Sequence, residues 1–416
     1  MWKISAEVCT VTDFVSTWNS ETFLSNPVGP LGLIAMPGTE ELGQQINQWL
    51  MKWRSHTDVT ADVAGMDATP GVGRQDFLIK VNCPRFGNGE GKGLIKESVR
   101  GLDLYILCDI GAYNMTYKMY GQDVPMSPDD HFMDLKRIIA AIGGKAKRIS
   151  VIMPMLYEGR QHRRASRESL DCALALQELD RMGVSNIITF DAHDPRVQNA
   201  IPASGFESVM PSHQIFKALL KKEKELRLDK EHMMIVSPDE GALDRNIFYA
   251  SVLGLDMGMF YKRRDYTRIV NGRNPIIAHE YLGDNVEGKD IFVADDIISS
   301  GDSVIDLARE LKKRKANRIF AAATFALFTN GLEMYNKAYE DGLIDGVIST
   351  NLTYCTPELK KAPWFIQADM SKYISYIIAT LNHDRSLSKL LNPSDRLHRL
   401  KDKYLAAQAE NGTRLV

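Results

Sequence analysis

A chain of 416 residues, 44% hydrophobic and 25% charged, is long enough for two globular units and too balanced for a disordered or fibrous protein. Its formal net charge of −2 gives no electrostatic reason to bind nucleic acid or an anionic membrane surface. Five dispersed cysteines (Cys9, Cys83, Cys108, Cys172, Cys355) contain no CxxC pair and read as the reduced thiols of a cytoplasmic protein, and no apolar run reaches membrane-spanning length.

Residues 1–30 carry Glu7, Asp13 and Glu21 and lack the basic start and apolar centre of a signal peptide, so a leader is expected there. A strand over 31–36 follows, then Pro37-Gly38-Thr39 and a helix to about Trp53. Residues 55–74 are polar and glycine-containing and read as an inserted loop. From Asp76 the chain alternates: apolar runs at 104–108, 149–153, 187–190, 233–236, 291–294, 319–323 and 347–349 are separated by helix-length segments. Within 164–182, for example, Cys172, Leu176 and Leu179 share one helical face. Alternation of this kind implies an α/β fold of parallel sheets covered on both faces. A break at 201–211 suggests two doubly wound halves, 31–205 and 206–369. A helix over 370–392 would pack back on the first half, leaving a tail at 393–416.

In such folds ligands collect where strands end. The run 187–190 leads into Asp191-Ala192-His193-Asp194-Pro195. A lone histidine is usually structural, yet one between two acids at a strand terminus is a fair metal or phosphate ligand. The run 233–236 leads into Ser237-Pro238-Asp239-Glu240-Gly241, for which plain helix capping would also account. The run 149–153 leads to Tyr157-Glu158-Gly159-Arg160-Gln161-His162-Arg163-Arg164, either a solvated basic cluster or an anion clamp. Lys262-Arg263-Arg264 opens a polar stretch to Glu287, expected as a mobile, functional loop.

The densest chemistry lies at 290–303. Ile291, Phe292, Val293 and Ala294 form a short buried strand, and Asp295 and Asp296 stand where it should end. Ser299, Ser300, Gly301, Asp302 and Ser303 then precede a helix marked by Val304, Leu307, Ala308 and Leu311. A turn of small residues feeding a helix N-terminus presents free N–H groups and the positive end of a dipole to a phosphate. Carboxylates beside it can hold hydroxyls or a Mg²⁺-bound polyol. The pair suits a ribose 5-phosphate; a solvated acidic tip is the plain alternative.

That stretch resembles the phosphoribosyl-diphosphate signature of the phosphoribosyltransferase superfamily. Other motifs appear in the order and spacing of one family: Phe86-Gly87-Asn88-Gly89-Glu90, Glu97-Ser98-Val99-Arg100-Gly101, Arg160-Gln161, Asp191-Ala192-His193, Ser237-Pro238-Asp239-Glu240-Gly241 and Lys262-Arg263-Arg264. From Leu31 to Leu391 the chain resembles the ribose-phosphate diphosphokinases, or phosphoribosyl-diphosphate synthetases. The resemblance implies two domains of phosphoribosyltransferase type. It also implies Mg²⁺-dependent transfer of the diphosphoryl group of ATP to the C1 hydroxyl of ribose 5-phosphate.

By the same resemblance, Phe86, Asn88, Gly89 and Glu90 of a neighbouring subunit would hold adenine, and Arg160 and Gln161 the nucleotide. His193 and Asp239 would serve Mg²⁺, and Asp239, Glu240 and Gly241 would face diphosphate. Asp295, Asp296, Ser299, Ser300, Gly301, Asp302 and Ser303 would hold ribose 5-phosphate. Lys262 and Arg264 would be catalytic. A homo-oligomer of dimers, up to a hexamer, is implied, with no nucleic-acid or membrane partner.

Some positions depart from the family pattern. Asn88 replaces an acid, His162 stands for the acid of R-Q-D-R, Ala242 for a glycine, Ser299 for an acid and Asp302 for a glycine. Residues 55–74, 113–128 and those beyond Pro393 also lie outside it. A phosphoribosyltransferase acting on a base would explain 290–303 but leave Asn88–Glu90, Asp191–His193 and a second α/β half without a role. A weakly catalytic regulatory homologue would explain the degraded loops, against the retention of Lys262, Arg264, His193 and Asp239.

Overall fold

The computed structural model describes residues 27–61, 76–264 and 276–413. The leader up to residue 26, most of the inserted loop and the centre of the stretch after Arg264 lie outside them.

The first half runs β1 (Leu31–Ala35), α1 (Glu40–Ala61), the short pair β2 (Val81–Asn82) and β3 (Leu94–Ile95), β4 (Asp103–Leu107), β5 (Thr116–Met119), β6 (Gln122–Pro125), α2 (Pro128–Ile142), β7 (Arg148–Ile152), α3 (Asp171–Arg181), β8 (Asn186–Phe190) and β9 (Gly205–Val209). Strands β1-β4-β7-β8-β9 form one sheet in that order, parallel throughout. Alternate residues of β4 face opposite ways, Leu104 and Ile106 toward α2 and α3, Tyr105 and Leu107 toward α1. Both faces are therefore apolar, which is why the strand reads as an unbroken hydrophobic run. Helix α2 begins with a capping box: Ser127 accepts from Asp130 N–H, and the Asp130 carboxylate accepts from Ser127 N–H.

The second half runs α4 (Ser212–Lys222), β10 (Met233–Ser237), α5 (Leu243–Leu253), β11 (Asp256–Arg264), β12 (Ile276–Leu282), β13 (Asp290–Ile298), α6 (Asp302–Lys313), β14 (Ile319–Ala326), α7 (Glu333–Glu340), β15 (Gly346–Thr350), α8 (Pro357–Lys361) and β16 (Phe365–Ala368). Its sheet has the order β12-β11-β10-β13-β14-β15-β16, with β12 antiparallel to β11. Three helices follow: α9 (Ser371–Asn382), α10 (Ser388–Leu391) and α11 (Ser394–Thr413). Helix α9 returns to the first half, where Tyr373, Ile374 and Ile377 share a core with Leu42, Ile46 and Leu50 of α1. Helix α11 covers α4 and α5 with Leu397, whose burial is worth roughly 1.5–3 kcal/mol.

The architecture is the α/β pair of parallel-sheet domains expected, with differences at element ends. Helix α1 continues to Ala61, because no glycine or proline interrupts the chain between Gly43 and Gly65. Helix α3 starts at Asp171 rather than near Arg164. Upstream of it, Ala165 N–H donates to Glu168 and Gln161 Nε2 to the Ser169 carbonyl, local bonds that compete with a helical turn. The expected break at 201–211 contains β9, which completes the first sheet, so the chain crosses to the second sheet only after Val209. The segment after Lys262 is not irregular at its ends: β11 carries Lys262 and Arg264 and pairs with β12 as a hairpin. The 113–128 insertion is a second hairpin, β5–β6.

Several polar ties close the seam between the halves. Asp109, just past β4, is fully buried and accepts from Gly111 N–H at 2.8 Å, from Thr353 Oγ1 at 3.0 Å and from Tyr354 N–H at 3.1 Å. Burial pushes its carboxyl up to about 6, against these hydrogen bonds, which pull it down. The folded state therefore holds a proton that the unfolded chain has released between about pH 4 and 6, and this group's contribution falls as pH rises through that window. Asp109→Asn removes the slope. Urea unfolding should show wild type losing about 2 kcal/mol relative to the variant between pH 4 and pH 7; parallel pH profiles would contradict the assignment.

Candidate active site

Strand β8 of the first sheet ends opposite the neighbouring strands β10 and β13 of the second, and the loops after them carry the site. The two acids of 290–303 do not follow their strand but lie within it. Strand β13 extends to Ile298 because Ile297 and Ile298 pair with Phe325 and Ala326 of an equally long β14. Asp296 is buried and Asp295 partly so, and each accepts the next residue's N–H, Asp296 at 2.9 Å and Ile297 at 2.8 Å. Asp296 Oδ2 lies 2.7 Å from His193 Nδ1 across the seam. Burial and the charge on Asp296 push the Asp295 carboxyl up. For Asp296 burial acts the same way, but the bond from His193 and the charge of Arg245 outweigh it and hold the carboxyl low. The same bond raises the His193 imidazole, against its burial.

The turn 299–303 is shaped from beneath. Gly301 is the residue preceding α6, with φ +95°, a conformation that side-chain-bearing residues rarely adopt. A Cβ there would stand 2.3 Å from the ring of Tyr335, which is buried against Trp364 (centroids 5.2 Å) and Phe328 (4.9 Å). Asp302 and Ser303 open α6, and no side chain caps its N-terminus. Ser299, Ser300, Gly301, Asp302 and Ser303 thus form the open helix-end turn that suits a phosphate, with Asp302 adding one negative charge at its rim.

The loop after β10 is stitched to the same place. Asp239 Oδ1 accepts from Gly241 N–H at 3.0 Å and Ala242 N–H at 3.3 Å, and Ser237 Oγ donates to the Asp239 carbonyl. Glu240 and Gly241 are exposed at its tip. Asn246, fully buried in α5, donates to the Ala242 and Ala294 carbonyls and accepts from Ala294 N–H, tying this loop to β13 one residue before Asp295. This Asx turn gives capping a share in the motif, since two amides that could face an anion are occupied by Asp239.

From the first half come His193 and the loop 160–164. Arg160 is exposed and near enough to His193 to act on its titration, while the Gln161 amide donates to the Arg163 and Ser169 carbonyls. The His162 ring lies 5.2 Å from that of His193 and its Nε2 3.6 Å from Asp194. With Nδ1 turned to Asp296, Nε2 is the ring nitrogen left to a ligand when the imidazole is neutral. His193 and Asp239 do not build a closed cation cage. Among the described residues, the trio close enough for one is Asp229, Glu231 and His232, where Arg227 Nη1 sits 3.0 Å from His232 Nε2. A Mg²⁺ ion in phosphate chemistry keeps waters and takes phosphate oxygens, so an open set of one or two protein donors fits it.

Of two further expected groups, one stands apart from this place within the chain and the other lies outside the described residues. Phe86, Asn88, Gly89 and Glu90 form a tight turn in which Asn88 Nδ2 donates to Glu90 Oε2 at 3.0 Å. Its neighbours are the β5–β6 hairpin, through Tyr120 N–H to the Gly87 carbonyl at 2.8 Å, and Lys92 over the Phe86 ring. The side chains of Lys262 and Arg264 lie outside the described residues. The sequence reading also missed Arg245, Thr324, Asn246 and Tyr335. Only the first had a local signal, a cation in the first turn of the helix after the Asp239 loop.

Comparison with known proteins supplies the relationships. Residues 31–183 match the model for the N-terminal domain of ribose phosphate pyrophosphokinase, and residues 206–340 match the phosphoribosyl transferase domain. The chain is 29% identical over 312 residues to a ribose-phosphate pyrophosphokinase of Vibrio cholerae, covering 74% of this chain and 90% of that one. It is 28% identical over 315 residues to one from Shewanella oneidensis, covering 74% and 89%. A crystal structure of phosphoribosylpyrophosphate synthetase from Mycobacterium smegmatis superposes with a TM-score of 0.63 at 20% identity, over 84% of this chain and 98% of that one.

Gly301→Ala should disturb the turn twice over, through its positive φ and through the Tyr335 ring. The expected loss is about 1–3 kcal/mol in denaturant unfolding, and a neutral result would show that Tyr335 does not shape the turn.

Proposed function

The chain belongs to the ribose-phosphate pyrophosphokinase family, and we propose that it forms 5-phosphoribosyl 1-diphosphate from ribose 5-phosphate with ATP as diphosphoryl donor. The observation that carries this reading is the 2.7 Å contact between Asp296 and His193. It joins a sugar-phosphate turn on one α/β half to a histidine on the other. A phosphoribosyltransferase acting on a base would need only the first half of that arrangement.

In the proposed reaction the ribose C1 oxygen bonds to the β-phosphorus of ATP, the bond from that phosphorus to the α,β-bridging oxygen breaks, and AMP leaves. The C1 hydroxyl proton passes to solvent. The chain's part is to position and to neutralise charge, as phosphoryl-type transfers require. Ser299, Ser300, Gly301, Asp302 and Ser303 would seat the 5-phosphate on the α6 N-terminus. Asp295 would accept ribose hydroxyls, while Asp296 holds the His193 ring. Asp239, Glu240 and Gly241 would border the diphosphate, and Arg160 and Gln161 the nucleotide. His193 and Asp239 would hold Mg²⁺, which when bound neutralises phosphate oxygens. Lys262 and Arg264 would bring cations to the transferring group from the β11–β12 hairpin.

Phe86, Asn88, Gly89 and Glu90 are turned to the β5–β6 hairpin rather than to this chain's own seam, in keeping with service to a neighbouring copy's adenine. We therefore place the activity in a homo-oligomer built from dimers, up to a hexamer; a fully active monomer by light scattering would refute it. A cytoplasmic location suits the free thiols Cys83, Cys108, Cys172 and Cys355.

The deciding experiment mixes protein, Mg²⁺, ATP and ribose 5-phosphate and follows ³¹P spectra. AMP and a new diphosphate ester should appear only with the sugar phosphate present; ADP and inorganic phosphate would sink the assignment. In the same assay Asp295→Asn should raise KM for ribose 5-phosphate about 10–100-fold, from losing one charge-assisted hydrogen bond of roughly 1.5–3 kcal/mol. KM for ATP should stay near wild type, and equal rises for both substrates would give Asp295 a different role. Lys262→Ala should lower kcat on the order of 10³-fold by analogy with arginine fingers, and turnover within twofold of wild type would remove it from the mechanism.

A further inference from the structure

Arg245 has no part in the mechanism above, yet it reaches the site from both sides. It lies in the first turn of α5, and its side chain is 13% exposed. Nε and Nη2 grip Asp191 at 3.1 and 2.6 Å, and Nη1 lies 3.7 Å from Asp295 Oδ1. Asp191 belongs to the first half, at the end of β8 and two residues before His193. Asp295 belongs to the second half. Thr324 Oγ1, from β14, donates to Asp191 at 2.5 Å. Every side-chain donor named on Asp191 thus comes from across the seam.

Asp191 also has φ +47°, in the left-handed region. Aspartate tolerates that conformation better than most residues, but it persists only where surrounding contacts over-determine it. The fork of Arg245 and the hydroxyl of Thr324 are such contacts. They fix the backbone just where the chain turns from β8 to present His193. Pro211, Ile215, Tyr249 and Ala322 line the crevice around them, so the ion pair is shielded from water and its geometry matters more.

A purely structural role is a poorer account. The halves are already tied elsewhere, by Asp109 to Thr353 and by Lys360 to Glu41 at 3.0 Å. Neither of those ties involves a residue that faces substrate. Arg245 joins the two strand ends that do.

We infer that Arg245 is a positioning residue for the transfer: it sets the spacing between the His193 arm of one half and the ribose-binding Asp295 of the other. This rests on the reaction proposed above. The guanidinium is suited to the task because its planar fork fixes direction as well as charge, which an ammonium group does not. Arg245 does not touch substrate; it acts through Asp191 and Asp295.

Arg245→Lys tests this, since it keeps the cation and removes the fork. The expected result is a kcat at least 30-fold below wild type and a KM for ribose 5-phosphate raised about 10-fold. KM for ATP should stay within about threefold, with far-UV circular dichroism and the thermal midpoint near wild type. Thr324→Val removes one hydroxyl from Asp191 without changing side-chain volume, and should shift the same two parameters in the same direction by about three- to tenfold. If Arg245→Lys leaves kcat and both KM values within twofold of wild type, or lowers activity only in proportion to folded protein, the positioning role is wrong. If Arg245→Lys does not fold, Thr324→Val decides, and wild-type kinetics in it would overturn the inference. An active wild type with unaffected variants defeats this inference alone. A wild type that releases no AMP defeats the proposed reaction, and the positioning role with it.

Discussion

A buried carboxylate has to find donors, and along this seam the acids of each half take donors from the other half. Asp109 of the first half takes Thr353 and Tyr354 of the second. Asp191 of the first takes Arg245 and Thr324 of the second, and Asp296 of the second takes His193 of the first. Breaking any of these pairs would leave a desolvated charge or a desolvated acceptor, which costs far more than the bond itself contributes. The site is built from the same acids that close the seam. Its geometry therefore depends on how the two halves meet, and neither half alone carries a complete set.

The loops of the candidate site depend on the layers beneath them. Position 301 calls for glycine because Tyr335, stacked on Trp364 and met edge-on by Phe328, leaves no room for a side chain beneath the turn. The Asp239 loop keeps its place because Asn246 has donor and acceptor atoms matched to the backbone on either side. Core packing thus reaches the chemistry through backbone position. Asp302 is exposed at the rim and Ser299 partly so, while Ala242 is buried, and the turns that carry them are held from behind.

Much of this was legible in the chain. Parallel strands buried on both faces must be apolar at every position, so the runs at 104–108, 149–153, 187–190, 233–236, 319–323 and 347–349 stand out from the helices between them. Small residues and acids directly after such runs mark the loops, because only those residue types make tight turns and hold phosphate or hydroxyls. Strand lengths were less legible. Ile297 and Ile298 extend β13 past its acids only because β14 offers partners, and β11 and β12 take up the described ends of an expected loop for the same reason: strand pairing is a property of two segments.

The residue types at each strand end, and with them the kind of chemistry, were determined by the sequence alone, since turn conformation and phosphate affinity are local properties. Which of those residues meet was decided by tertiary structure. Arg245 and Asp191 stand 54 residues apart, His193 and Asp296 103, and Thr324 and Asp191 133. No periodicity links positions so distant. Their meeting follows from two separately wound sheets presenting the C-terminal ends of β8, β13 and β14 to one another, where each buried acid is paired by whatever donor the opposite half supplies.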